Sequence, residues 1–288
     1  MRNTEKLANI CGKRQAVTVP GAPNALFARL IEDLGFEVVY VTGAGIANMQ
    51  LGVPDLGLTT ISEVSNTVAS ISDVVELPII VDADTGFGNA LNVIRTIKTL
   101  EKSGASGIQI EDQVFPKRCG HFGGKEVISK SEMVQKIHAA VDARNDQSLQ
   151  IIARTDAAAV EGLSSAIDRA QSYIDAGADI TFVEAPNSQM ELERIANELQ
   201  VPQIANIVYG GKTPDVGKAQ LAEFGFSLVL YANAILQAAL KASHEVLQSL
   251  HEKGSLAAVT EKLASFDDRQ AVVKKFDWDK LEKKYISK

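Results

Sequence analysis

Cysteine is scarce in this chain: only Cys11 and Cys119 occur among 288 residues. That excludes a disulfide framework and a cysteine-rich zinc module, and it suits a reducing compartment. Basic charge is short as well, with 29 Lys and Arg against 36 Asp and Glu for a formal net charge of −7. Without a basic excess or stripe, nucleic acid is not an expected partner. No apolar run approaches the roughly 20 residues of a membrane helix. The segment Met1-Arg2-Asn3-Thr4-Glu5-Lys6 lacks the apolar core of a signal peptide. Linkers and low-complexity segments are missing too. The expectation is a cytoplasmic protein without a membrane partner, acidic outside, folded as one domain over residues 1–288. Its 45% hydrophobic and 23% charged residues exclude wholesale disorder.

What the sequence does contain is a repeat. Short runs rich in Val and Ile predict strands at 16–19, 38–42, 79–84, 107–111, 150–154, 180–183, 202–206 and 228–231. Their starts lie about 30 residues apart, the size of a βαβ unit. Runs such as Ile79-Ile80-Val81 are apolar on both faces, as parallel strands are. The stretches between read as helices. Asn24 is a candidate N-cap, while Thr60 with Glu63 and Ser129 with Glu132 fit capping boxes. Gly35, Gly104, Gly177 and Gly225 each stand where a helix hands over to a strand, the place of a left-handed C-cap. Eight such units predict an α/β fold, a closed (β/α)8 TIM-type barrel. An open doubly wound sheet is the weaker alternative, because Gly43-Ala44-Gly45 is a poor phosphate loop. A helical tail at about 234–288 exceeds what a barrel needs; Leu240, Val246, Leu247 and Leu250 would cover the barrel bottom or dock on a partner subunit.

In such a barrel chemistry sits at the strand exits. Found there are Thr42, Gly43 and Ala44, Asp82 and Asp84, Glu111 and Asp112, Arg154 and Asp156, Glu184, and Asn206. The acids are oxygen donors in need of a counter-charge, so a hard divalent cation, Mg2+ or Mn2+, is expected. Asp82 and Asp84 alternate at strand period and project the same way. Asp112 and Asp156 are read as caps or ion pairs. The loop Lys117-Arg118-Cys119-Gly120-His121 is followed by Gly123-Gly124-Lys125. Its glycines suggest a lid, and its cations should favour a thiolate at Cys119, suited to proton transfer or nucleophilic attack. Cys11 reads as a packed core thiol, and His138, His244 and His251 as surface residues.

These motifs together resemble the isocitrate lyase and phosphoenolpyruvate mutase superfamily. The resemblance runs from Pro20-Gly21-Ala22 through Trp278 and includes Val41-Thr42-Gly43-Ala44-Gly45, Asp82-Ala83-Asp84-Thr85-Gly86-Phe87-Gly88 and Lys117-Arg118-Cys119-Gly120-His121. Within the superfamily the chain is similar to the short lyases that act on 2-methylisocitrate or on 2-alkylmalates such as 2,3-dimethylmalate. The resemblance implies a magnesium-dependent carbon–carbon lyase that releases pyruvate from a 2-hydroxy di- or tricarboxylate. Asp84 would bind the metal directly, with Asp82 and Glu111 holding its waters. Thr42, Gly43 and Ala44 would take the substrate carboxylate, Arg154 a carboxylate or the hydroxyl-derived oxygen, and Glu184 and Asn206 the floor. Gly120 would join the substrate site, and Asp55 would stand near the reacting centre. Cys119 would be the catalytic acid, tuned by Lys117 and His121. A homotetramer exchanging its C-terminal helices is also implied.

Several positions depart from the methylisocitrate lyase pattern. Phe182-Val183-Glu184-Ala185-Pro186 is more like the alkylmalate lyases, and Asn206-Ile207-Val208-Tyr209 and Tyr231-Ala232-Asn233-Ala234 are altered. The tail arginine that grips a third carboxylate has no clear match, Arg269 being the nearest substitute. A dicarboxylate is therefore expected over a tricarboxylate. Ala234 makes oxaloacetate hydrolysis a weaker reading. Competing readings are C–P chemistry of the mutase branch, a Schiff-base aldolase, and a non-catalytic barrel.

Overall fold

The predicted repeat folds as eight parallel strands. The computed structural model describes residues 1–120 and 123–286; His121, proposed from the sequence as a tuning residue, lies outside the described residues. The strands are β1 (Val17–Ala22), β2 (Val39–Val41), β3 (Ile79–Asp82), β4 (Gly107–Glu111), β5 (Gln150–Thr155), β6 (Ile180–Val183), β7 (Ile204–Asn206) and β8 (Leu228–Tyr231). They pair in the order β6-β5-β4-β3-β2-β1-β8-β7. A parallel bridge between Thr181 and Gln203 brings β6 to β7 and all but closes the ring. The β1–β8 pairing, Val17 to Leu228 through Pro20 to Tyr231, excludes the open doubly wound alternative.

The helices are α1 (Asn3–Gly12), α2 (Ala25–Asp33), α3 (Gly43–Ile46), α4 (Ile61–Ser72), α5 (Ala90–Lys102), α6 (Lys130–Ala143), α7 (Leu163–Asp175), α8 (Gln189–Glu198), α9 (Lys218–Phe224) and α10 (Ala234–Lys253). Two short helices, α11 (Phe266–Val272) and α12 (Lys275–Tyr285), end the described chain. Local chemistry sets the boundaries much as expected. Asn24 Oδ1 accepts the Phe27 N–H at 3.2 Å. Thr60 and Glu63 form the reciprocal box, with Thr60 N–H donating to Glu63 Oε2 at 2.7 Å. Ser129 caps α6 by accepting the Glu132 N–H, only half of the expected box. Gly35, Gly104, Gly177 and Gly225 all have φ between 82° and 102°, where a Cβ would be strained.

Two expectations need correction. The barrel bottom is closed by α1, not by the tail. Leu7, Ile10 and Cys11 of α1 cluster with Val17, Val38, Ile80, Ile152 and Ile180 inside the ring. Burying a side chain such as Leu7 contributes about 2 kcal/mol. Burial also pushes the Cys11 thiol up to about 12, so this cysteine is packing material. Leu240 and Leu247 of α10 are exposed instead. The third predicted strand also ends early, at Asp82. Asp84 sits beyond it with φ of 46°, so the two acids reach one place from a strand end and a turn rather than from one strand face. His138, His244 and His251 are exposed, as expected. No helix among the described residues is long and apolar enough to cross a membrane.

Candidate active site

Strand register gathers the polar residues at one end of the ring. Asp82 on β3 stands beside Gln109 on β4, and Glu111 on β4 beside Arg154 on β5. Arg154 in turn neighbours Phe182 on β6, whose ring lies 5.1 Å from the guanidinium carbon. Asn206 at the end of β7 donates to Glu184 at 3.4 Å. Thr42, just past β2, caps α3 by accepting the Gly45 N–H, while the Gly43 N–H donates to Asp82 Oδ2 at 3.3 Å. A cavity of about 40 Å3 is bounded by Thr42, Asp82, Lys117, Cys119, Arg154 and Glu184, among others.

Charge inside is unbalanced. Among the described residues six carboxylates (Asp55, Asp82, Asp84, Glu111, Asp156 and Glu184) meet three cations, Lys117, Lys125 and Arg154. The Lys117 ammonium pairs with Asp55 and lies 2.8 Å from Asp84 Oδ1. It is the basic neighbour that the acid pair lacks in sequence. Burial disfavours that ammonium, but Asp84, Glu111, Asp82 and Asp55 overcome the effect and hold it charged. Burial raises the Asp84 carboxyl to about 6, against the opposing pull of Lys117. Glu111 lies well above the ordinary carboxylate range for the same reason, despite Arg154 at 3.4 Å. Asp156 goes the other way: burial would raise it, but Arg154 and Lys125 bring it below the usual value.

Glu111 Oε1 is buried without a hydrogen-bond partner among the described residues, and the buried Asp84 Oδ1 faces the Lys117 ammonium at 2.8 Å. A Cβ at Gly43 would lie 3.1 Å from Asp82 Oδ2 and 3.4 Å from Asp84 Oδ1, so only glycine leaves that corner open. No group of three His, Cys, Asp or Glu among the described residues could hold a metal by itself. A hard cation with one direct carboxylate and water for the rest fits this donor set, as Mg2+ commonly binds.

The sequence expectation that Asp112 and Asp156 form ion pairs or caps holds in detail. Asp112 accepts from Thr155 Oγ1 and Tyr173 Oη, both at 2.7 Å, and from the Asp156 N–H at 2.9 Å. Asp156 takes Arg154 Nε at 2.9 Å. Sequence reasoning missed four residues that shape the site. Tyr40 Oη donates to Gln109 Oε1 at 2.8 Å, and Gln109 donates to Asp82 at 3.2 Å. Gln113 brackets Arg118, accepting its N–H and donating to its carbonyl. Lys125 reaches back to Gly120 and Asp156. Nothing in spacing announces such pairings.

Gly120 has no room for a side chain. A Cβ there would fall onto the Arg154 guanidinium and lie 2.7 Å from Glu184 Oε1. Gly120→Ala is therefore expected to lower kcat/KM on the order of 10²-fold through displacement of Arg154 or the loop, with the thermal midpoint nearly unchanged. Steady-state kinetics and a melting curve check this together.

A family model described as phosphoenolpyruvate phosphomutase matches residues 7–251. A 2-methylisocitrate lyase from Aeropyrum pernix is 45% identical over 274 residues, covering 95% of this chain and 88% of that protein. The chain belongs to the phosphoenolpyruvate mutase/isocitrate lyase superfamily. A second superfamily relative, the 2,3-dimethylmalate lyase of Eubacterium barkeri, is 41% identical over 93% of both chains. Among solved members, a phosphonopyruvate hydrolase in complex with oxalate and Mg2+ matches with a TM-score of 0.89 and 29% identity over 100% of both chains. Membership accounts for the eight-stranded ring, and the relatives include both lyases and a phosphonopyruvate hydrolase.

Proposed function

We propose that this chain is a magnesium-dependent carbon–carbon lyase, cleaving a 2-hydroxy acid of the 2-alkylmalate or 2-methylisocitrate type to pyruvate and a second carboxylic acid. The observation that carries the reading is the acid cluster Asp82, Asp84 and Glu111 set against Lys117 and Arg154, with Asp82, Arg154 and Cys119 on one cavity and Glu111 Oε1 without a donor among the described residues. The 41–45% identity to lyases of both substrate types supports it.

Asp84 would hold the metal, with Asp82 and Glu111 binding its waters. Bound there, magnesium supplies Lewis-acid stabilisation of charge on a substrate oxygen. Arg154, kept charged by Asp156, Glu184 and Glu111, orients a substrate carboxylate or the C2 oxygen and opposes its growing negative charge. Thr42, Gly43 and Ala44 bind the pyruvate-forming carboxylate, and Glu184 with Asn206 holds the floor. Proton loss from the C2 hydroxyl lets its electron pair form the ketone as the C2–C3 bond breaks. The departing pair stays on C3, conjugated with its carboxylate, and takes a proton from Cys119 Sγ. Lys117 keeps Asp55 and Asp84 in place; with His121 it would also tune the thiol.

A larger cavity of about 780 Å3 shares Ala44, Asp55, Cys119 and Val208 with the site. Met49, Val53, Leu236 and Leu240 line it, and among the described residues no Lys or Arg does. Arg269 stacks on Phe266, exposed on α11, and lines neither cavity. An alkyl substituent fits this wall better than a third carboxylate, which favours a 2-alkylmalate. Exposed Phe266, Phe276, Trp278 and Tyr285 on the tail support assembly as a homotetramer.

The deciding experiment is pyruvate release from 2,3-dimethylmalate, 2-ethylmalate, 2-methylisocitrate, isocitrate and oxaloacetate, with magnesium and with EDTA. Magnesium-dependent release, fastest from a dicarboxylate, is expected. Silence across the panel would turn attention to phosphonopyruvate and C–P chemistry. Because Asp84 must be ionised to bind metal and titrates near 6, the apparent Mg2+ dissociation constant is expected to rise up to about tenfold per pH unit below that value. Magnesium titrations at several pH values check it.

A further inference from the structure

We propose that Lys125 is a positioning residue that ties the backbone beside Cys119 to the Arg154 guanidinium, fixing the acid relative to the carboxylate clamp. The proposal rests on the lyase reading above and adds a residue to it. Lys125 Nζ donates to the Gly120 carbonyl and to Asp156 Oδ1, both at 2.6 Å, and its side chain is 2% exposed. Asp156 Oδ1 also accepts Arg154 Nη2 at 3.2 Å, and Oδ2 accepts Arg154 Nε at 2.9 Å. One carboxylate oxygen is thus shared by the two cations.

Gly120 is caught from both sides. Its carbonyl is held by Lys125, and on the side where a Cβ would project, Arg154 and Glu184 leave no space. Cys119 is the next residue along the chain and cannot move far from Arg154 while both holds last. Asp156 does not need this ammonium to have a cationic partner, because Arg154 already grips it through two nitrogens. A buried cation is costly where an apolar side chain would serve. What Lys125 adds is the bond to a backbone carbonyl in the loop. Asp156 is itself anchored from behind, its N–H donating to Asp112, which also takes Tyr173 and Thr155. The loop is therefore referenced to the rigid wall of β5 through one lysine.

Lys125→Met and Lys125→Arg test the idea. Three readouts are needed: kcat and KM with the best panel substrate, the rate of Cys119 alkylation by iodoacetamide, and the thermal midpoint. Cys11 is fully buried, so labelling reports Cys119. In Lys125→Met, kcat is expected to fall on the order of 10²-fold with little change in KM, as for a reacting group misplaced by about 1 Å. Alkylation should accelerate about tenfold, the factor equivalent to about 1.4 kcal/mol of lost anchoring. Lys125→Arg keeps a cation on Asp156 but has no single ammonium to share with the Gly120 carbonyl. It should restore the thermal midpoint without restoring kcat, and it carries the test if the Met variant does not fold. Unchanged alkylation in both variants, or kcat that follows the thermal midpoint in parallel, would overturn the proposal. Faster alkylation in a protein whose wild type releases no pyruvate would keep the structural link and sink the lyase reading instead.

Discussion

Cys119→Ser is expected to lower kcat on the order of 10³-fold while leaving inhibition by pyruvate nearly unchanged. The hydroxyl is the same shape but holds its proton far more tightly than a thiol, and loss of a positioned general acid costs about 10²–10⁴-fold. Pyruvate binding is assigned to Thr42, Gly43, Ala44 and Arg154, none of which the substitution touches. Pyruvate release in the coupled assay gives kcat, and product inhibition gives the binding constant. Full activity in the variant would remove Cys119 from the mechanism. A loss of pyruvate binding equal to the loss of kcat would make it a binding residue instead. Cys11 serves as the internal control. It is the only other cysteine and lies in the barrel bottom against Leu7 and Ile10, so Cys11→Ser is a packing change without a chemical role.

The second large effect is expected from Arg154→Met, in stability as well as activity. Arg154 lies within ion-pair distance of Glu111, Asp156 and Glu184. Removing one member of a buried charged cluster strands the others, at a cost of about 3–5 kcal/mol. For a chain of this size that is a fall in thermal midpoint of roughly 6–15 °C. Lys125 still partners Asp156, so the lower half of the range is expected. The deficit should depend on pH with a definite sign. Burial already lifts Glu111 well above the ordinary carboxylate range against the pull of Arg154, and loss of the guanidinium lifts it further. The folded state then binds more protons than the unfolded chain, so its stability falls as pH rises. Calorimetry at about pH 8 should show a larger deficit than at about pH 5. A deficit independent of pH would mean that Arg154 matters as volume against Phe182 rather than as charge. Lyase turnover in this variant should be undetectable at either pH.

Much of the fold was legible because its signals are local. A buried parallel strand needs an apolar run, and a helix end needs a residue with positive φ, so Ile79-Ile80-Val81 and Gly177 declare themselves whatever surrounds them. Seven of the eight strands lie wholly or nearly within their predicted spans. The exception, β1, continues through Pro20 and Gly21 to Ala22; there the chain crosses so near the Ala232 carbonyl that a Cβ at Gly21 would overlap it. That close approach joins the first strand to the segment after the last one, and no window of sequence contains both. The same limit hid the role of α1. Its residues carry an ordinary amphipathic pattern, and only the diameter of the ring makes Leu7 a plug.

The site divides along the same line. Residue types at strand exits, read with the barrel prediction, brought Asp82, Glu111, Arg154, Glu184 and Asn206 to one end; the structure lines one cavity with four of them and sets Glu111 against Arg154. Their partners were not legible. Lys117 bridges Asp55 and Asp84, Lys125 joins Gly120 to Asp156, and Gln109 links Tyr40 to Asp82. Each pairing depends on how far strands are staggered around the ring and how a loop returns across it. The sequence by itself determined the eightfold unit, the acidic character of the exits and a cysteine among cations, because these follow from residue type and period. Only the tertiary structure decided which cation neutralises which acid and left Glu111 Oε1 without a donor among the described residues. Those outcomes depend on contacts of about 3 Å between segments that are remote in the chain.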